Sequence, residues 1–281
     1  MMTRPLPTPR LTPRLTPRLT TRVARDYGPW ALVTGASDGI GRACAVELAA
    51  AGVNLILVAR RAALLNELAD DLANRHAIKC AVVAADLAQP DGVAAVLAIA
   101  AAHDVGLAVL AAGFGTSGNF IDGDVAAELA MIDVNCRAVV AITHALARQM
   151  RARRANRRSG LILLSSLVGF QGVPRAAAYA ATKGFVQVLA EGLRLELAPH
   201  GIDVLAVAPG PITSGFAARA GMTMGLAQTP DVVARGALAA LGRIGTVRPG
   251  WLSKGLEAAL LLLPRVWRTR MMQQVMAGMT K

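Results

Sequence analysis

The sequence predicts a single-domain α/β fold of the doubly wound class, in which helices cover both faces of a parallel sheet. Short apolar runs without strict alternation recur along the chain, as expected for strands that are buried on both faces. Helical patterns lie between these runs, and such alternation implies parallel strands joined by right-handed crossovers. The predicted strands are 30–34, 53–59, 79–85, 107–112, 160–165 and 202–208, and the predicted helices are 40–51, 62–75, 91–102, 124–151 and 175–198.

Composition limits the classes of function. With 281 residues, 54% of them hydrophobic and 17% charged, the chain can bury a full core. The net charge of +12 comes from two acid-free clusters, six arginines in residues 1–25 and six in residues 148–158. We interpret these clusters as a solvated tail and a solvated loop rather than a specific nucleic-acid surface, with RNA or an anionic membrane as open alternatives. Three scattered cysteines without a CxxC pair indicate a reducing, cytoplasmic setting and no metal site.

The chain divides into three predicted parts. Residues 1–27 are expected to be a disordered tail, because proline recurs every fourth residue there and interrupts helices and central strands. A transit peptide or a misassigned start codon are alternative interpretations of this segment. Residues 28–250 form the predicted domain, and residues 251–281 form a helical extension. We expect the extension to cover a pocket or a subunit interface, with contact to a membrane surface as the alternative.

A glycine-rich turn follows the first predicted strand in TGASDGIG (residues 34–41). Glycines allow a tight turn and a close approach to phosphate oxygens, and the free N–H groups at a helix start attract an anion. Between a strand and a helix, the motif predicts a dinucleotide diphosphate site. The residues assigned to this site are Gly35, Ser37, Asp38, Gly39, Ile40 and Gly41.

The ends of the next two predicted strands indicate which dinucleotide binds. An NAD site usually has an acidic residue after the second strand, whereas this chain has Arg60 and Arg61. Because a guanidinium binds a 2′-phosphate that a carboxylate would repel, we predict NADP(H) over NAD(H), with Arg60 as the stronger candidate. Asp86, which precedes Leu87 at the end of the third strand, is expected either to accept from the adenine amino group or to cap the next helix.

The stretch AYAATKGF places Tyr179 and Lys183 four residues apart in an alanine-rich helix, and therefore on one helix face. An ammonium one turn away is expected to lower the pKa of the phenol from its usual value of about 10. Asn135 interrupts the apolar pattern of the helix at 124–151, which is costly unless its amide is bonded. A core amide bonded to a neighbouring backbone is the alternative interpretation of Asn135.

These motifs, with a serine pair after the fifth strand and PGPITS at 209–214, resemble the short-chain dehydrogenase/reductase family over about residues 28–250. Ser166 precedes Tyr179 by thirteen residues, as the family pattern requires, and is chosen over Ser165. The resemblance implies a Rossmann-like fold and an NAD(P)-dependent oxidoreductase that interconverts a carbonyl and an alcohol.

The resemblance also implies a role for each site residue. Tyr179 donates a proton to the carbonyl oxygen, and Lys183 tunes Tyr179 and holds the nicotinamide ribose. Ser166 bonds the substrate oxygen, and Asn135 holds a water that relays protons to Lys183. Further cofactor contacts are expected from Ala112, Gly113, Pro209, Gly210, Ile212 and Ser214, the last in place of the family's usual threonine.

One departure from the family concerns Ala111, which stands where an asparagine is common. We expect it to affect local stability more than chemistry, and it allows a second hypothesis, a catalytically weak NADP-binding sensor or scaffold.

The predicted lid at 211–229 is rich in Met, Ala and Gly, which indicates an apolar substrate. The resemblance implies a homodimer or homotetramer packed through the helices at 124–151 and 175–198.

Overall fold

The computed structural model describes residues 16–153, 157–221, 226–251, 253–255 and 263–279. In these residues one sheet of seven parallel strands has the order β3-β2-β1-β4-β5-β6-β7. The predicted doubly wound sheet is therefore confirmed. The strands are β1 (Trp30–Thr34), β2 (Asn54–Ala59), β3 (Cys80–Ala84), β4 (Val105–Leu110), β5 (Ser159–Leu164), β6 (Ile202–Val207) and β7 (Thr246–Val247).

Helices bury both faces of this sheet. Neighbouring side chains of β1 enter different cores, Val33 on one face and Leu32 on the other, as the pleat of a strand requires. The helices are α1 (Pro17–Tyr27), α2 (Gly39–Ala50), α3 (Ala62–His76), α4 (Pro90–Ala101), α5 (Val125–Ile132), α6 (Ala138–Arg151), α7 (Ala177–Leu197), α8 (Phe216–Arg219), α9 (Pro230–Ala240) and α10 (Arg265–Met279). Residues of α2, α3 and α9 pack in the core with Val33, and residues of α4, α6 and α7 pack in the core with Leu32.

The helix predicted at 124–151 differs from the structure in one respect. A π-helical turn, Asp133–Arg137, separates α5 from α6. Such turns widen the backbone by one residue and occur often at functional sites. The turn contains the buried Asn135, so the residue that interrupts the apolar pattern also lies where the helix geometry changes.

Helix α1 corrects part of the predicted disordered tail. Pro17 lies in the first turn of α1, where the missing N–H of proline costs no hydrogen bond, so the repeat does not prevent a helix. At the other end of α1, the buried Tyr27 hydroxyl donates to Asp203 Oδ2 at 2.8 Å. Residues 1–15 of the predicted tail lie outside the described residues.

The arginine cluster at 148–158 is not simply a solvated loop. The side chain of Arg153 is only 6% exposed. It donates to Asp104 Oδ1 at 2.6 Å, to the Gly28 carbonyl at 2.6 Å and to Ser159 Oγ at 2.9 Å. Ser159 begins β5, so Arg153 ties together the amino-terminal edge of the sheet, opposite the strand ends that carry the predicted site residues.

The described part of the C-terminal extension is dominated by α10. Met276 of this helix is buried against Val173, Ala176 and Ala180. Among the described residues, no helix is both long and apolar enough to cross a membrane.

Candidate active site

A cavity of about 530 Å³ lies at the carboxyl ends of the strands, where ligands bind in doubly wound sheets. Its lining includes every predicted site residue except Asn135. Asn135 lies directly behind the wall, because a Cβ added to Gly113 would come within 2.9 Å of Asn135 Oδ1. The topology thus gathers residues from widely separated parts of the chain into one site.

The glycine-rich turn has the backbone geometry that its sequence predicts. Gly35 and Gly39 have φ angles of 69° and 54°, in the left-handed region that favours glycine. A Cβ at Gly41 would lie 2.4 Å from the carbonyl oxygen of Gly35, so the turn is closed too tightly for any side chain. Asp38 caps α2 by accepting from Gly39 N at 2.7 Å, and its other oxygen accepts from Gly215 N at 3.2 Å. The turn is therefore tied to the segment after β6.

The two arginines after β2 differ in their contacts. Arg61 donates to Ser37 Oγ at 3.0 Å and so reaches the glycine-rich turn, while Arg60 lines the cavity from the same side. Asp86 accepts from Ala88 N at 3.1 Å and closes the turn that precedes α4. This bond occupies one carboxylate oxygen of Asp86.

Tyr179, Lys183 and Ser166 meet at the centre of the cavity. Lys183 Nζ lies 5.8 Å from the centroid of the Tyr179 ring and donates to the Leu164 carbonyl at 2.8 Å. Ser166, which follows β5, lines the same cavity, and its Oγ accepts from Val168 N at 3.4 Å. The spacing of four residues on α7 does place the phenol and the ammonium on one face, as predicted.

The electrostatics of this group correct one expectation. Burial raises the pKa of Tyr179 above its ordinary value, and the hydrogen bond with Ser166 offsets only part of the increase. Burial also lowers the pKa of Lys183 to about 8. The predicted lowering of the Tyr179 pKa is wrong in direction for this geometry, because removal from water disfavours the charged form of both groups.

The Asn135 amide is fully engaged with protein. Its Nδ2 donates to the Phe114 carbonyl at 2.9 Å and to Thr182 Oγ1 at 3.0 Å, while its Oδ1 accepts from Phe114 N at 3.2 Å. The alternative interpretation, a buried amide bonded to a neighbouring backbone, therefore describes these contacts. Because Thr182 directly precedes Lys183, Asn135 links the loop after β4 to the reactive part of α7.

The structure shows how the chain holds β4 without an asparagine at position 111. The Thr34 hydroxyl of β1 accepts from Ala112 N at 3.0 Å, which supplies a side-chain bond between these strands at their carboxyl ends. Beyond β6, the buried Ser253 accepts from Gly210 N at 2.8 Å and fixes the opposite wall. A serine so distant in sequence carries no motif that could have predicted this contact.

Apolar side chains close the remaining side of the cavity. Phe216 of α8 packs against the Tyr179 ring, with 5.3 Å between the ring centroids. Met272 and Met276 of α10 face the cavity together with Val173. The two methionines are four residues apart, a helical spacing visible in the sequence, but their orientation depends on where α10 packs.

The fold and the cavity define a dinucleotide-binding α/β protein. Residues 29–224 match the family model described as short chain dehydrogenase. The chain is 34% identical over 230 residues to a very-long-chain 3-oxoacyl-CoA reductase of Aspergillus terreus, covering 79% of this chain and 64% of that protein. It is 30% identical over 235 residues to a 7beta-hydroxysteroid dehydrogenase of Mediterraneibacter gnavus, covering 81% and 88%. The chain belongs to the short-chain dehydrogenase family, although it spans less than two thirds of the length of the fungal relative.

Solved structures agree with this assignment. A 7beta-hydroxysteroid dehydrogenase superposes with a TM-score of 0.79 at 26% identity, covering 89% of this chain and 98% of that chain. A short-chain dehydrogenase from Sphingobium yanoikuyae in complex with NADPH superposes with a TM-score of 0.73 at 29% identity, covering 85% and 97%. The family and the NADPH-bound neighbour support a nicotinamide cofactor.

Proposed function

We propose that this protein is an NADP(H)-dependent oxidoreductase that interconverts a carbonyl and an alcohol on an apolar substrate. The observation that carries the proposal is the meeting of Ser166, Tyr179 and Lys183 in the same cavity as a glycine-rich turn. The relatives described above are named as reductases and dehydrogenases, which supports the same reaction class.

The residues of the cavity fit a nicotinamide dinucleotide. When bound, such a cofactor supplies or accepts a hydride at the substrate carbon. The turn at Gly35–Gly41 offers free N–H groups and a surface without side chains to the diphosphate. A Cβ at Gly113 would lie 2.9 Å from Asn135 Oδ1 and 3.6 Å from Lys183 Nζ, so a glycine fits where the wall approaches these two groups. We assign Lys183 to the nicotinamide ribose, with Ala112, Pro209, Gly210, Ile212 and Ser214 along the walls.

Proton transfer is assigned to Tyr179. Its raised pKa keeps the phenol protonated at neutral pH, the state needed to donate to a carbonyl oxygen. Ser166, which lines the cavity together with Tyr179, is positioned to donate to the same substrate oxygen. Lys183 stabilises the phenolate that remains after transfer, and Asn135 positions Lys183 through its hydrogen bond to Thr182 rather than by holding a relay water on its amide.

The NADP(H) preference is assigned to the two arginines after β2. Because Arg61 contacts Ser37 beside the diphosphate turn and Arg60 lines the cavity, both guanidinium groups are available to a 2′-phosphate. We expect Arg61→Ala and Arg60→Ala each to weaken NADPH binding by about tenfold while leaving NADH binding nearly unchanged, since a hydrogen bond to a charged group contributes about 1.5–3 kcal/mol. Titration of both cofactors into each variant measures this. Equal losses for NADH and NADPH would contradict the assignment.

An apolar substrate is inferred from the side chains around the reaction centre. Phe216, Val173, Met272 and Met276 face the cavity, and methionine adapts to bulky apolar ligands. The 3-oxoacyl and hydroxysteroid names of the relatives agree with an acyl chain or a fused-ring ketone. Oxidation of NADPH in the presence of such ketones tests the proposed function directly.

We further propose a cytoplasmic homodimer or homotetramer. The three cysteines are unpaired, which suits a reducing compartment. Helix α7 exposes Phe185, Val188 and Leu195, with Val188 70% and Leu195 77% accessible, and α6 exposes Val140. An apolar patch of this kind on a single chain favours a self-association surface. Light scattering should give a dimeric or larger mass that Val188→Glu reduces to the monomer; a monomeric wild-type protein at micromolar concentration would contradict this.

A further inference from the structure

Gln171 is a buried polar residue of the cavity that the proposed chemistry does not use. It is only 6% exposed and lines the cavity. It directly follows the short 3₁₀ helix Leu167–Phe170, which itself begins immediately after Ser166. The backbone therefore places Gln171 one short turn away from the proposed reaction centre.

The orientation of the Gln171 amide is set by its one hydrogen bond. Its Nε2 donates to the Leu167 carbonyl at 3.1 Å. Since a carbonyl accepts only from the amino side of an amide, Oε1 is the other end of the group, and no described residue donates to it. Gln171 lines the cavity, so its Oε1 is an acceptor that a ligand in the cavity could reach.

Apolar residues lie on both sides of Gln171 in sequence, and the Arg248 guanidinium lies over the ring of the preceding Phe170, 4.6 Å from its centroid. Val168 and Val173 flank it in sequence, and both belong to the cluster that packs against Met272 and Met276. Tyr179 packs against the same cluster. The next residue, Gly172, lies against α10, where an added Cβ would be 3.5 Å from Thr269 Oγ1. Gln171 thus presents a neutral acceptor in a largely apolar part of the cavity wall near α10.

We propose that Gln171 is a specificity-determining residue whose Oε1 accepts a hydrogen bond from a hydroxyl group of the substrate. The substrate class is then an apolar ketone that carries a second oxygen, as a hydroxyl, away from the reacting carbonyl. This inference rests on the proposed function for the position of the reacting carbonyl. An amide oxygen can accept from such a hydroxyl without a charge on the substrate.

The test compares a fused-ring ketone with its hydroxylated forms. The probes are 1-decalone and its monohydroxy isomers, which differ from the parent only by one donor group. The variants are wild type, Gln171→Leu and a matched control, Gln149→Leu. Gln149 also donates Nε2 to backbone carbonyls, those of Ala100 and His103, but does not line the cavity. Both kcat/KM with NADPH and probe binding to the NADP⁺-saturated protein are measured.

For wild type and Gln149→Leu, we expect the best hydroxylated isomer to exceed the parent ketone by about tenfold in kcat/KM and in affinity, the size of one well-formed hydrogen bond. For Gln171→Leu, we expect this ratio to fall to about one. Ratios that are equal in all three proteins, or binding of neither probe, would overturn the inference. So would a change in NADPH affinity alone, which would place the amide on the cofactor.

The binding measurement separates this inference from the proposed function. If wild type binds the hydroxylated ketone preferentially through Gln171 but oxidises no NADPH, the inference holds and the oxidoreductase proposal fails. If NADPH is oxidised but wild type and Gln171→Leu prefer the hydroxylated ketone equally, the oxidoreductase proposal holds and the inference about Gln171 fails.

Discussion

Replacing Tyr179 by phenylalanine is expected to reduce the rate of ketone reduction by about a thousandfold, because general acid catalysis contributes about 10²–10⁴-fold. The substitution removes one oxygen, which is the proposed proton donor. It retains the ring that packs against Phe216. NADPH affinity should therefore stay within about twofold of wild type, since that change corresponds to only about 0.4 kcal/mol.

The chain supplies its own control for this experiment. It contains only two tyrosines, and the other, Tyr27, is buried at the opposite edge of the sheet against Asp203. Tyr27→Phe should cost about 1 kcal/mol of stability through the lost hydrogen bond and leave kcat unchanged. Steady-state kinetics and NADPH fluorescence titration of the two variants give the comparison. A Tyr179→Phe protein that reduces its best substrate as fast as wild type would show that the phenol is not the acid.

The rate of reduction is expected to fall as the pH rises through about 8, the pKa to which burial lowers Lys183. In the proposed mechanism, the lysine is charged below this pH and stabilises the phenolate that forms on Tyr179. Above this pH the lysine is neutral and that stabilisation is lost. The Tyr179 pKa is raised, so the phenol remains protonated through this range. The value of kcat/KM should be level from pH 6 to 7.5 and then decrease by up to about tenfold per unit, as for one titrating group.

Lys183→Arg tests the origin of this decrease. A guanidinium stays charged at every pH of the assay, so the variant, whatever its absolute rate, should show no fall near pH 8. Circular dichroism at each pH checks that the protein remains folded. A wild-type profile that is level to pH 9.5, or the same fall in Lys183→Arg, would contradict the assignment to Lys183.

The sheet and most of the helices could be predicted because burial against the core alone determines their residue pattern. Strands buried on both faces need continuous apolar runs, and the predicted strand at 30–34 has the same bounds as β1. The glycine-rich turn could also be predicted, since few residue types other than glycine adopt the positive φ angles of Gly35 and Gly39. The short β7 escaped prediction because two residues carry no periodicity.

Features that depend on packing could not be predicted from the pattern. A proline is tolerated in the first turn of a helix but interrupts a helix interior. Pro17 lies in the first turn of α1, and the sequence pattern does not show that this helix forms and packs through the Tyr27–Asp203 hydrogen bond. The direction of the Tyr179 pKa shift depends on how deeply α7 is buried. Spacing revealed the neighbouring ammonium of Lys183 but not the removal of both groups from water.

Prediction was most limited for the substrate side of the cavity. The Met-rich segments indicated an apolar pocket, but the contribution of α10 depends on tertiary packing at the far end of the chain. Gln171 carried no sequence signal, because a lone glutamine between a strand and a helix is commonplace. The proposal that Gln171 determines specificity rests on its burial and on the hydrogen bond that orients its amide.

The most direct test of the central claim is the oxidation of NADPH by the wild-type protein with a panel of apolar ketones, aldehydes and 3-oxoacyl thioesters, with NADH in parallel. We expect turnover of at least one fused-ring ketone or 3-oxoacyl thioester, with NADPH preferred over NADH. Protein that binds NADPH but oxidises it with no member of the panel would contradict the oxidoreductase proposal and favour an NADP-binding sensor or scaffold.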